Sequence, residues 1–125
     1  LLLQDPRTSS PGFGFVWGSF HWAAKEAGEK FPPVSTADVT PIGKKSRSEF
    51  EEFWDDLKPQ WLTLAPGWSS AYGMFLRGEA PLVWSYLTSE AYHRTHAKPG
   101  EESRYRAVVF EDGLPVQLEG AALLK

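Results

Sequence analysis

An α/β layered lobe is the fold class that the sequence predicts, and three observations predict it. Short apolar runs at 1–4, 61–65 and 81–86 read as strands, each run stops at a turn signal, and each turn opens a segment with helical features. Strands alternating with helices form a sheet covered by helices, rather than an all-helical or all-β domain. Extended segments follow towards the end.

In chain order, Leu1-Leu2-Leu3-Gln4 is a strand that delivers the chain to the loop Asp5-Pro6-Arg7-Thr8-Ser9-Ser10-Pro11-Gly12. Ser10 is the expected N-cap of the next helix, with Pro11 at its first position, where the missing N–H costs nothing. That helix covers 14–27, is rich in Phe and Trp, and ends at Gly28. The stretch 28–48 holds three prolines and the basic run Lys44-Lys45-Ser46-Arg47 without sustained apolar periodicity, so it reads as an exposed loop or an insertion. Over 49–57, Phe50, Phe53, Trp54 and Leu57 share one helical face, and the acidic residues between them face water. Pro66-Gly67 turns the second strand into a helix over 69–76, stopped near Gly78. After the third strand, Thr88 or Ser89 caps a helix that reaches about His96. Lys98-Pro99-Gly100 is a turn, 105–110 a further strand, Glu111-Asp112-Gly113 another turn, and 114–124 extended.

The chain, 125 residues long, is expected to form a single lobe over 1–125, and a chain of this size can bury about two-thirds of its extended surface. Thirteen Lys and Arg against sixteen Asp and Glu leave a net charge of -3, with no dense cationic footprint for a nucleic acid. Cysteine is absent, which excludes disulfides and cysteine-ligated metals. The opening leucines are too few to span a bilayer and lack a basic n-region. The abrupt apolar start and the run Ala121-Ala122-Leu123-Leu124 read as cuts made inside a larger protein.

In sheets of this kind, ligands collect beyond the carboxyl ends of the strands, and three loops qualify: 7–12, 66–69 and 86–92. The first offers the hydroxyls of Thr8, Ser9 and Ser10 beside a helix N-terminus, a combination that binds an anion or simply caps its own helix. The second displays Trp68, which either stacks on a flat or cationic ligand or covers the lobe's own core. The third carries two phenols, Tyr86 and Tyr92, six residues apart, with Glu90 between them. His93 and His96 share a helical face, but no carboxylate completes a metal-ligand pattern. No serine sits in a G-x-S-x-G elbow, and no matched base can be named, so an enzyme is not indicated.

Three segments taken together resemble the periplasmic thiamine-binding proteins of ABC transporters, among the family 1 solute-binding proteins. They are the loop from Asp5 to Gly12, the run Gly67-Trp68-Ser69-Ser70-Ala71-Tyr72-Gly73-Met74-Phe75-Leu76-Arg77-Gly78-Glu79-Ala80, and Ser85-Tyr86-Leu87-Thr88-Ser89-Glu90-Ala91-Tyr92-His93. The first motif is shared with related receptors, iron binders included, whereas the Trp68 and Tyr86/Tyr92 pattern is more selective for thiamine. The resemblance implies one lobe of a two-lobed, type II periplasmic-binding-protein-like fold, a mixed sheet flanked by helices. It also implies an exported protein that needs no cofactor, closes on thiamine or its phosphates with a second lobe, and hands them to an ABC permease of the inner membrane. Ser9 and Ser10 would meet the hydroxyl or phosphate end, and Trp68, Tyr86 and Tyr92 would line the pocket around the rings. Ser70, Leu87 and Glu90 depart from the family pattern, and 28–47 is longer than the pattern expects. A lobe for another small molecule or an iron-anion complex, and a protein-interaction domain, are the competing readings.

Overall fold

The computed structural model describes residues 1–30 and 43–117. Strand β1, Leu2–Gln4, pairs in parallel with β2, Thr63–Ala65, in a register that sets Leu2 opposite Thr63 and Gln4 opposite Ala65. The third expected strand reaches the same ladder from the other side through one parallel bridge, Leu2 to Val83. Leu2 N–H donates to Leu82 O at 2.9 Å, and Trp84 N–H donates to Leu2 O at 3.1 Å. The ladder stops there because the next carbonyl, that of Trp84, is taken at 2.8 Å by the side-chain amide of Gln4 instead of by the backbone. All three segments run the same way, so their carboxyl ends meet at one rim.

Helix α1, Ser10–Glu26, leaves that rim first. Its N-cap is Ser9 and not the expected Ser10: Ser9 has extended backbone, and its Oγ accepts the Gly12 N–H at 3.4 Å. Ser10 therefore opens the helix and Pro11 takes the second position, where its lack of an N–H is equally harmless. Gly12 is fixed by contact rather than by turn geometry. A Cβ there would overlap the Gln4 carbonyl oxygen and lie 2.9 Å from its carbon, so only hydrogen lets α1 cross β1 this closely. Gly28, at φ 68°, ends the helical run in the left-handed region, as the sequence predicts.

Helix α2, Lys44–Leu57, begins five residues earlier than expected, so 44–48 are helical and not loop. Glu29, just past α1, accepts both the backbone N–H and the hydroxyl of Ser46, which supplies the first turn with a carboxylate that the local sequence lacks. The rest of the stretch expected as a loop or insertion, 31–42, lies outside the described residues. The predicted apolar face of α2 meets α1: Phe50 stacks on Phe20 at 3.7 Å, Phe53 packs beside Trp22, and Trp54 meets Phe15 edge to face at 5.5 Å. The Trp54 indole N–H donates to Ser19 Oγ at 3.1 Å, so the buried polar atom is satisfied. A 3-10 turn, Lys58–Gln60, leads into β2.

Helix α3, Trp68–Leu76, packs on β1 and β2, and helix α4, Thr88–Thr95, follows the third segment. The anticipated Thr88 or Ser89 cap is absent because Leu87 holds the N-cap position, and the Ser89 hydroxyl is engaged by Ser85 Oγ at 2.9 Å. Leu2, Ala65, Ala71 and Ala80 form the buried cluster under α3, while strand alternation sends buried Leu3 to the opposite face. The expected strand at 105–110 is not formed: no described strand pairs with it, Val108, Val109 and Phe110 are exposed, and the Ala107 N–H goes to Glu90 Oε2 at 2.9 Å. Residues 114–117 have no regular structure, and the remainder of the expected extended segment lies outside the described residues.

The core is small, and Leu62, Leu64 and Leu82 remain exposed, so burial falls short of what the length allows. Replacing Gly12 with Ala should cost roughly 1–3 kcal/mol by forcing α1 away from β1. Urea unfolding of G12A measures this, and an unchanged midpoint would contradict the close approach.

Candidate functional site

The ends of β1 and of the third segment open on a cleft of about 1170 Å³, which the loop after β2 does not line. Its polar end is the first loop, with Arg7, Thr8, Ser9 and Ser10, and its other walls come from Phe13 and Trp17 of α1, from 84–88 and from 114–117. The volume is slightly above the roughly 300–1,000 Å³ usual for a small-molecule site.

Hydrogen bonds lock the first two loops together. Asp5 N–H continues the ladder to Ala65 O at 2.8 Å, and the Thr8 hydroxyl donates to Pro66 O at 2.6 Å. Within the first loop, Asp5 accepts the Arg7 backbone N–H at 2.9 Å and a guanidinium fork from the same residue. Those hydrogen bonds, from the Arg7 side chain first and its backbone second, hold the Asp5 carboxyl down from the usual 3.8 to about 2. Beyond this pair, the N-terminus of α1 turns its partial positive charge towards the loop, although Pro11 has no N–H and that of Gly12 is capped by Ser9.

The expected site residues fall into two groups. Ser9, Ser10 and Tyr86 line the one cleft. Ser9 is buried and occupied by its capping bond, whereas Ser10 is exposed at the helix start. Trp68 is outside the cleft's lining and adjoins Tyr86: the two rings are 5.8 Å apart, Trp68 stacks on Tyr72 at 4.9 Å, and its indole N–H donates to Ser85 Oγ at 2.8 Å. It is half-buried, so it is neither displayed in open solvent nor a fully buried core residue.

Tyr92 is not among the cleft's lining residues. It is 59% exposed and stacks on His96 at 4.1 Å, with His93 edge-on at 5.5 Å. His93 in turn reaches the Tyr72 hydroxyl at 2.7 Å, so an unbroken aromatic wall runs from Tyr86 through Trp68, Tyr72 and His93 to Tyr92. Burial raises the Tyr72 phenol, which keeps it a neutral hydroxyl near neutrality. Glu90, between the two phenols, is committed elsewhere: it holds the Ala107 N–H and lies 3.8 Å from Arg94. Among the described residues no three His, Asp or Glu side chains come together as metal ligands.

Sequence reasoning missed Ser85 as the partner that orients Trp68, and Tyr72 as the ring stacked on it. Both were in the quoted motifs, and the signal was the four-residue spacing of Trp68 and Tyr72 on one helical face. Phe13 and Trp17 were also missed as cleft residues.

Three relatives carry the comparison with known proteins. The thiamine-binding periplasmic protein of Brucella melitensis is 37% identical over 122 residues, and that of Escherichia coli is 36% identical over the same length. The Haemophilus influenzae protein of the same name is 36% identical over 123 residues. The chain is similar to thiamine-binding periplasmic proteins. Each match covers 98% of this chain, and the chain spans 29% of the length of these thiamine-binding relatives. No protein-family model and no solved structure matches the chain.

The Asp5–Arg7 pair makes the first loop acid-sensitive. Because the folded carboxyl lies below its ordinary value, its stabilisation is complete above about pH 4 and is lost as pH falls towards about 2. The stability gap between the protein and Asp5→Asn should therefore be constant above pH 5 or so and shrink on acidification. Denaturant unfolding across that range checks it, and a gap that widens in acid would contradict the pairing.

Proposed function

We propose that this chain is a lobe of a two-lobed, type II solute receptor that captures thiamine or a thiamine phosphate in the periplasm and delivers it to an ABC permease of the inner membrane. One observation carries the reading: the similarity to proteins named for thiamine binding runs over 98% of the chain. The capture is non-catalytic, since binding of a flat ring and an anionic or hydroxyl tail needs no bond-making group.

The cleft's chemistry supports this. Thiamine joins two aromatic rings, one of them a permanently cationic thiazolium, to a hydroxyethyl arm that carries the phosphates in the esters. The α1 N-terminus with Ser9 and Ser10 suits the arm or its phosphate. The Tyr86 face, adjoined by Trp68, suits the rings, because a cation is attracted to the negative face of an aromatic system. Trp68 acts through the wall it stiffens, with Ser85 and Tyr72 fixing its plane. Tyr92 belongs to the same wall, and closure of a second lobe would bring ligand contact to its exposed ring. The uncovered Leu62, Leu64 and Leu82 are surface that the remainder of a longer protein would bury.

Calorimetric titration tests the reading. Thiamine should bind saturably, Trp68→Ala should weaken it by roughly tenfold, and the monophosphate should bind at least as tightly as thiamine. Heat with ferric complexes and none with thiamine would give the lobe to a different cargo.

A further inference from the structure

We propose that Phe13 and Trp17 form a second aromatic wall of the cleft and receive the cationic ring of the ligand, a role that the reading of the strand-end loops leaves unassigned. The inference rests on the proposed thiamine capture for the identity of that ring. It is argued from the cleft itself.

Helix α1 divides its aromatic residues between two duties. Phe15, Phe20 and Trp22 pack against Phe50, Phe53 or Trp54 of α2, and Phe15 also meets Trp84 edge to face at 4.8 Å. Phe13 and Trp17 line the cleft. Four residues apart, they stand on one face of the helix and stack at 6.1 Å with an interplanar angle of 17°. Phe13 is nevertheless 57% exposed, an unfavourable placement for a phenyl ring unless something covers it.

Position along the helix sets the geometry of a ligand. At about 1.5 Å of rise per residue, Phe13 and Trp17 stand roughly 5 and 10 Å along the axis from Ser10. A ligand that seats its anionic or hydroxyl tail at the helix N-terminus and lies along the wall that α1 gives the cleft brings its rings to both side chains. On the same helix, Gly14 and Gly18 lie under Pro115, where an added Cβ would come 3.8 and 3.6 Å from the proline ring. Both distances are ordinary van der Waals contacts, and the 114–117 segment, lying along α1, bounds the cleft beside the two rings.

The kind of ring follows from the proposed ligand. Among the described residues that line the cleft there is no carboxylate, and the one cation, Arg7, is at the polar end. A cationic thiazolium bound here would draw its stabilisation from π faces, which Phe13 and Trp17 supply from α1 and Tyr86 from the third segment.

The test is calorimetric titration of the protein and of four variants with thiamine. Phe13→Ala should weaken binding roughly tenfold, Phe13→Leu should also weaken it because bulk is kept but the π face is lost, and Phe13→Trp should retain it. Trp17→Phe, which keeps a face, serves as the second position and should lose no more than a fewfold. Far-UV circular dichroism confirms that each variant is folded. Full affinity in F13A or F13L would overturn the second wall while leaving thiamine capture in place, whereas absence of thiamine binding by the unaltered protein would overturn the functional reading and this inference with it.

Discussion

The parallel pairing of β1 with a neighbour on each side is the constraint on which everything else depends. Leu2 faces Thr63 across one ladder and Val83 across the other, so three separate stretches of chain finish at the same rim. An antiparallel third segment would have sent Tyr86 to the opposite end of the sheet, and Ser10 and Tyr86 could not then line one cleft. The pairing is short, three residues on one side and one on the other, and side chains extend it. Gln4 reaches Trp84, and Thr8 reaches Pro66, so the loops are tied to each other just beyond the point where the ladder ends.

Much of this was legible in the residues. The first two strands, the helical face of α2, the turns at Gly28, Gly78, Gly100 and Gly113, and the three-loop rim all follow from apolar spacing and from glycines that take positive φ. The misread parts share a cause, which is that a distant residue decided a local choice. Helix α2 starts at Lys44 because Glu29 serves its first turn, and that carboxylate belongs to the tail of α1. Ser9 displaces Ser10 as the cap because Gly12 must press against Gln4, which fixes where the helix can begin. The 105–110 run has strand composition but meets Glu90 instead of a ladder. Composition can propose a strand, and only a partner can make one.

The candidate site was legible in its loops and not in its division of labour. Trp68 was recognised as important without any means of choosing between display and burial, and it does something intermediate, adjoining Tyr86 while Ser85 and Tyr72 fix its orientation. Tyr92 joins the wall through His93 and faces outward from the cleft's lining. The sequence shows only that α1 is rich in Phe and Trp, and not that Phe13 and Trp17 line the cleft while Phe20 and Trp22 pack on α2. Composition already carried the physical hint: a chain with eight Phe, six Trp and four Tyr has more rings than so small a core can hold.

The central claim is that a ligand bridges the rim by touching loops that are distant in sequence, and amide and indole chemical shifts read this directly. On titration of isotope-labelled protein with thiamine monophosphate, resonances of Ser9 and Ser10, the Trp68 indole and Tyr86 should move together along one saturation curve, while those of the outward face of α2, at Glu51, Glu52 and Asp55, should stay fixed. Shifts confined to a single loop, or spread evenly over that acidic face, would contradict the account.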